Sequence, residues 1–347
     1  MQDVCVIATA SILPETIVSN RDIGRRLIDG AHARNIHDAE AEDTVRTRAE
    51  LIEQKTGLRA RRFFAPDDTP VEIGMNLLEK LMGEREWAAL DAIIVSSSSV
   101  QGFPGISQQI VAALREKHGG LAHPFVLDIS SNACTSFMYA MTVGRSLIQA
   151  MGYRKVACLA IEFSSRCIAY DPKAFGISTL FGDAAAGVLL TSGVPGLAAV
   201  RASRASSMVD PATIGLIRGS GMQASNQAAE VPQDVRWFMA GPPVAVGATR
   251  ILVEEIRRHQ AEGYSIDWLI PHQANLTRIL IPACKSAGID PSRLCASFAD
   301  TGNTSSASIP LLLDQLVRDG RAAKGENALL IGFGASFSVG SALLTFN

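Results

Sequence analysis

Short apolar runs that read as buried strands alternate with segments whose apolar residues recur at helical spacing along nearly the whole chain. Residues 92–97, 124–130, 155–161 and 179–190 are such runs in the first part, and 268–270 and 327–344 in the second. Helices are expected between them, at 71–81, 109–117, 137–148, 244–261, 276–288 and 309–319. A chain that switches so regularly between the two periods must bury sheets under helices, which predicts an α/β fold. The turn signal Pro195-Gly196 separates the two series and divides the chain into halves, 1–194 and 195–347.

Composition narrows the function. A chain of 347 residues with 47% hydrophobic and 19% charged residues can bury a large interior, and a net charge of -2 gives no field that would attract nucleic acid or an anionic membrane. No apolar run approaches the ~20 residues of a membrane span. Six cysteines lie scattered without CxxC spacing, which argues against a disulfide framework or a metal site and for a reducing, cytoplasmic setting. His32 and His37, in the polar stretch 30–50, are five residues apart and so do not share a helix face.

Reactive side chains sit at three strand-to-helix turns. Cys134 follows the strand at 124–130 and opens a helix, where unpaired N–H groups and the helix dipole favour a thiolate. His272 follows the strand at 268–270, and Asn303 lies in the polar turn before the helix at 309–319. Read singly, Cys134 is a small buried cysteine and His272 a structural histidine. Together they match the inventory for acyl transfer through a thioester, although chain order alone does not separate this from a cysteine peptidase.

Further motifs remove that ambiguity. Lys55-Thr56-Gly57-Leu58, Ala133-Cys134, Phe181-Gly182-Asp183-Ala184, Pro271-His272-Gln273-Ala274-Asn275, Gly302-Asn303-Thr304-Ser305 and Gly340-Ser341-Ala342-Leu343 occur in this order across almost the whole chain. In them the sequence resembles the β-ketoacyl-ACP synthase III family of thiolase-fold condensing enzymes. The resemblance implies a layered αβαβα fold of two similar halves, a homodimer, and Phe103 at the dimer interface reaching the partner's acyl tunnel. It implies that Cys134 takes an acyl group from a thioester donor, with the oxyanion held by the N–H groups of Cys134 and Ala335. His272 and Asn303 would then donate hydrogen bonds to a malonyl thioester carbonyl and stabilise the enolate formed on decarboxylation. No cofactor is implied beyond thioester substrates carrying phosphopantetheine, from CoA or an acyl carrier protein.

Four departures concern the substrate. The family's tryptophan and arginine before Thr-Gly align with Leu51 and Lys55, and a second arginine aligns near Phe175, so a CoA nucleotide is poorly provided for. The stretch 30–50 reads as an insertion beside the same entrance. Carrier docking falls to a partial basic patch of Arg278, Lys285 and Arg257, with Arg250 and Arg258 nearby. The family's terminal glycine run becomes Gly334-Ala335-Ser336-Phe337, so Ser336 and Phe337 are expected to shape the acyl pocket. Arg166, just beyond the strand at 155–161, is either a surface ion-pair partner or a cation within reach of a carboxylate-bearing acyl chain. The reading is a condensing enzyme of specialised metabolism, the alternatives being a same-fold acyltransferase and a non-catalytic partner subunit.

Overall fold

The computed structural model describes residues 3–32, 41–85, 87–119, 121, 123–171, 174–209, 211–219 and 237–347. Part of the stretch read as an insertion, 33–40, lies outside the described residues, as does His37.

The first half runs β1 (Val4–Ile12), β2 (Thr16–Ser19), α1 (Asn20–His32), α2 (Ala41–Thr56), β3 (Ala60–Phe63), α3 (Pro70–Met82), β4 (Ala92–Ser96), α4 (Ile106–His118), β5 (Phe125–Ile129), α5 (Ser136–Met151), β6 (Lys155–Glu162), α6 (Phe175–Leu180) and β7 (Ala184–Ser192). The second runs β8 (Ala198–Ser207), β9 (Ile217–Arg218), β10 (Phe238–Met239), α7 (Gly241–Ala261), β11 (Trp268–Pro271), α8 (Ile281–Ala287), α9 (Phe298–Thr301), α10 (Ser308–Arg318), β12 (Asn327–Phe333) and β13 (Ser338–Phe346).

Nine strands are hydrogen-bonded in the order β11-β12-β13-β8-β1-β7-β6-β4-β5. The order repeats. β5-β4-β6-β7-β1 has two parallel pairings and then two antiparallel ones. β11-β12-β13-β8 has one parallel and two antiparallel pairings, and a parallel bridge of Leu269 to Leu294 stands where the fifth strand would be. The two series join through a short antiparallel contact, Cys5 with Ala199 and Val6 with Ala198.

Strand alternation distributes side chains into layers. On β4, Ala92 and Ile94 enter the central core with Phe137, Met138 and Met141 of α5 and with Ile309 and Leu312 of α10. Ile93 and Val95 face the other way, toward Leu77, Leu78, Ile110 and Leu114 of α3 and α4. On β12, Ala328 and Leu330 join the same central core, while Leu329 and Ile331 meet Ile251, Leu252 and Cys284 of α7 and α8. The result is helix, sheet, helix, sheet, helix, with α5 and α10 in the middle layer between two sheet faces.

The polar residues 201–207 complete β8 and are tolerated because most of that strand beyond Val200 is only partly buried. One local expectation needs correction. The helix expected at 276–288 opens with a π-helical turn, Leu276–Leu280, in which the Leu280 N–H donates to the Asn275 carbonyl at 3.1 Å. Among the described residues no helix is long and apolar enough to cross a membrane.

The middle layer has little spare room. A Cβ at Gly144 of α5 would lie 2.8 Å from Cys158 Sγ and 3.2 Å from Val156 Cγ1. Gly144→Val is therefore expected to lower the unfolding free energy by about 2 kcal/mol through overpacking, read as a lower urea midpoint. An unchanged midpoint would contradict this packing of α5 on β6.

Candidate active site

Cys134 is carried over from β5 to α5 by a turn whose tightest residue is Ala133, at φ 50. A left-handed alanine costs about 1 kcal/mol or more and persists where its surroundings hold it. The hold is visible on the last turn of the chain. A Cβ at Gly334 would lie 2.2 Å from the Asn132 carbonyl oxygen, so only glycine allows the end of β12 to approach. The Thr135 hydroxyl donates to the Ser338 carbonyl, and the Ser338 hydroxyl to the Asn132 carbonyl, both at 3.3 Å.

His272 extends β11, its N–H donating to the Ile331 carbonyl at 2.8 Å. Its ring stands edge-on to Phe333, with centroids 5.1 Å apart, and Nδ1 lies 3.3 Å from Ser308 Oγ; when that hydroxyl turns from the Ser305 carbonyl, 2.8 Å away, to Nδ1, the neutral imidazole carries its proton on Nε2, the nitrogen available to a ligand. Asn303 is fixed by its own backbone: its N–H donates to the Leu180 carbonyl at 2.8 Å, and its carbonyl accepts from the Gly182 N–H at 3.0 Å. Its side-chain Oδ1 accepts from the Ser305 N–H at 2.8 Å, so the amide NH2 is the end left for a ligand. This pairing explains two glycine motifs at once, because a Cβ at Gly182 would meet the Thr301 carbonyl at 2.1 Å and one at Gly302 the Leu180 carbonyl at 2.8 Å.

Cys134, His272 and Asn303 thus come together on one cavity of about 540 Å³, with Ser98, Ser305, Ala335 and Ser336 also in its wall. Burial decides their ionisation. Desolvation pushes the Cys134 thiol up to about 12, against a lowering hydrogen bond from Ser305, and the Glu162 charge raises it further. Desolvation and the Glu162 charge thus oppose the thiolate that the helix terminus favours. Desolvation likewise holds His272 down at about 4, so the imidazole is neutral near pH 7.

The remaining expected residues are spread more widely. Phe103 is fully exposed and stands away from this chain's own cavity. Phe337 turns from the cavity into the core beside α7, its ring filling the space over Gly247. Arg166 donates to the carbonyls of Ala65 and Asp68 at 2.6 and 3.0 Å and stacks on Phe163, which leaves it outside the cavity. Arg278 lines both the cavity and a neighbouring shallow groove, where Arg250 and Arg257 also lie, and Lys285 is exposed on α8. Arg258 pairs instead with Glu255.

At the entrance the two substituted positions meet each other: Lys55 Nζ lies 5.8 Å from the centroid of the Phe175 ring. Aromatic surface comes from elements with no motif that marks them as part of the entrance. Trp237 packs edge-on to Phe181 at 5.0 Å, and Arg218 stacks over Phe238 at 4.7 Å, bringing β9 and β10 to the wall. Sequence reasoning also passed over Glu162 and Ser98, although a carboxylate ending a buried strand and a run of four serines ending another were signals of a polar interior site.

A repeated α/β core with a half-buried cysteine and a buried histidine and asparagine at the ends of its strands defines the class of thiolase-fold acyltransferases. Family models described as 3-oxoacyl-[acyl-carrier-protein (ACP)] synthase III and its C-terminal part match residues 127–211 and 256–346. The chain is 31% identical to a β-ketoacyl-[acyl-carrier-protein] synthase III of Pectobacterium atrosepticum, over 98% of this chain and 99% of the relative. Among solved structures, 3-oxoacyl-(acyl carrier protein) synthase III of Pseudomonas aeruginosa PAO1 is 25% identical with a TM-score of 0.79, covering 99% of this chain and 98% of its own. The priming β-ketosynthase of the R1128 polyketide biosynthetic pathway is 28% identical with a TM-score of 0.79, covering 100% and 97%. The chain belongs to the β-ketoacyl-ACP synthase III family and is an acyltransferase.

Neutral His272 links stability to pH. Its value of about 4 in the folded protein lies below the ordinary 6.5, so as pH falls the unfolded chain takes up that proton first. The stability it contributes is present above about pH 6.5 and is lost as pH falls toward 4. His272→Gln should therefore show a shallower decline in urea-unfolding free energy between pH 7 and about pH 5 than the parent. Equal declines would contradict a buried neutral imidazole.

Proposed function

We propose that Cys134 accepts an acyl group from a thioester donor and passes it to the carbon of a decarboxylating malonyl thioester, a decarboxylative Claisen condensation. The observation that carries this reading is the convergence of Cys134, a neutral His272 and Asn303 on one cavity. His272 and Asn303 each retain a nitrogen for the malonyl thioester carbonyl, and hydrogen bonds aimed at a developing enolate act strongly in a dry site. The N–H groups of Cys134 and Ala335 serve the oxyanion of the acyl-transfer step.

The substrates proposed are carrier-bound. Lys55 is engaged with Phe175 rather than free for a nucleotide phosphate, whereas Arg278, Arg250 and Arg257 border the groove beside the mouth and Lys285 lies on the adjoining helix. Such a patch suits the acidic surface of an acyl carrier protein. This entrance, with the likeness to a priming ketosynthase, supports a role in specialised metabolism. A homodimer in the cytoplasm completes the reading. It is supported by fully exposed Phe103, by the exposed Phe125 on edge strand β5, and by six cysteines that all remain free.

Weighing the intact protein after incubation with panels of acyl-CoA and acyl carrier protein tests this. The expected result is an acyl adduct from carrier-bound donors that disappears in Cys134→Ala. Asn303→Ala is expected to retain the adduct while CO2 release from malonyl carrier protein falls about 100-fold or more. Efficient loading from acetyl-CoA would overturn the specialised reading, and adduct formation without CO2 release would favour acyl transfer to an amine or hydroxyl.

A further inference from the structure

Behind the cavity lies a buried carboxylate to which neither the family motifs nor the proposed mechanism gives a task. Glu162, at the end of β6, is 0% exposed. Its Oε1 accepts from the N–H and hydroxyl of Ser98, at 3.0 and 3.1 Å, and from the N–H and hydroxyl of Ser306, at 3.2 and 2.5 Å. Its Oε2 accepts from the N–H and hydroxyl of Ser99, at 3.1 and 2.6 Å. One of these donors leads back to the sulfur. Ser98 Oγ lies 2.9 Å from Ser305 Oγ, which is itself 3.5 Å from Cys134 Sγ.

We propose that Cys134, Ser305, Ser98 and Glu162 form a proton relay that carries the thiol proton to the buried carboxylate as Cys134 is acylated. The inference rests on reading Cys134 as the acyl carrier. Each hydroxyl in the chain can donate once and accept, so the chain has two consistent polarities. In the structure the Ser305 hydroxyl donates to Cys134 Sγ and Ser98 O–H to Glu162; rotating the Ser305 hydroxyl onto Ser98 Oγ frees Ser305 to accept from the S–H and aligns the loaded polarity, Cys134 to Ser305 to Ser98 to Glu162. Passing one proton along every link reverses all three bonds and yields a thiolate that accepts from Ser305, above a neutral Glu162.

The step balances. The sulfur forms its bond to the acyl carbon, the donor's C–S bond breaks, and the departing thiolate recovers the proton through Ser305 and Ser98 as Glu162 ionises again. No base from solvent is needed, which matters because the sulfur is desolvated.

Charge coupling explains why the four groups act together. The Glu162 charge opposes a thiolate at Cys134, and in a dry site two nearby negative charges share one proton rather than both losing theirs. Cys134 is the titratable group that faces Glu162; the other groups bonded to its oxygens are serine hydroxyls and backbone N–H. Six donors fix the position of the carboxylate, and in the relay it holds the proton only while the new C–S bond forms. Ser305 touches the reacting sulfur, whereas Ser98 and Glu162 act through it.

Single-turnover acylation of Cys134, followed by intact mass across a pH series in H2O and D2O, reads the relay. Ser98→Ala is expected to slow acylation about 100-fold at neutral pH, to displace the rise of rate toward higher pH, and to alter the solvent isotope effect. Ser98→Thr, which keeps the hydroxyl, should restore most of the rate, and Glu162→Gln should behave like Ser98→Ala where it folds. A uniform loss at every pH, or no loss in Ser98→Ala, overturns the relay. Absence of any adduct on the parent protein defeats instead the reading of Cys134 as acyl carrier.

Discussion

The Glu162 carboxylate is sealed from water with no cation paired to it among the described residues, and its six hydrogen bonds tie together what the fold must align. Taking an ionised carboxylate out of water costs several kcal/mol, and hydrogen bonds to a charged group return about 1.5–3 kcal/mol each, so the group is tolerable only while its donors stay in place. Four of those donors come from the serines after β4 and two from Ser306, at the start of α10. The first half therefore supplies the charge and most of its cage, and the second half closes it. Any displacement of α10 relative to β6 strands a buried charge, and the same displacement would move Asn303 and Ser305 away from Cys134.

Repetition of one folding unit explains why chemistry gathers at this seam. Cys134 stands between β5 and α5, and Asn303 stands between the Leu294 bridge and α10, which are corresponding places in the two series. Since α5 and α10 share the middle layer, their N-terminal turns arrive at one level of the molecule. The backbone is bent hard there. Ala133, Ser305, Ser336 and Phe337 all hold positive φ near 50, and these four non-glycine residues belong to the nucleophile turn, the asparagine turn and the final turn. Strain on this scale is sustained by interlocking: Gly334 against Asn132, Gly302 against Leu180, and the Thr135 and Ser338 hydroxyls across the gap.

The α/β alternation was legible because it rests on local signals, whereas the layered arrangement and the roles of Cys134, His272 and Asn303 entered with the family resemblance. Apolar strand runs, helix periods and small polar turns each leave a mark within ten residues, and the motif order joined them across the chain. What was not legible depends on neighbours far apart in sequence. Desolvation and the Glu162 charge, which oppose a thiolate at Cys134, leave no local mark beside the helix start that favours one. Phe337 follows Ser336 directly, yet one lines the cavity and the other packs over Gly247, a distinction made by a single left-handed turn. The entrance hides for the same reason: an aromatic surface absent at Leu51 is present at Trp237 and Phe238, delivered by β10, a strand of two residues, and the residue before it.

A desolvated site in which both sulfur and imidazole rest uncharged places a physical demand on any acyl chemistry done there. Burial disfavours the thiolate and the imidazolium alike, so neither partner is available as a preformed ion, and an ion pair between them would have to be created at the moment of reaction. A neutral imidazole can still donate one hydrogen bond. It does so without adding a proton to the enolate oxygen it stabilises, which keeps the nucleophilic electron pair on carbon. In the proposed condensation that suits histidine to the malonyl half of the reaction, and the low proton affinity of the buried imidazole makes it a weak acceptor for the thiol proton in the half before. Of the polar groups around the sulfur, the serine chain to Glu162 is the one whose geometry joins Cys134 to a carboxylate already shielded from solvent.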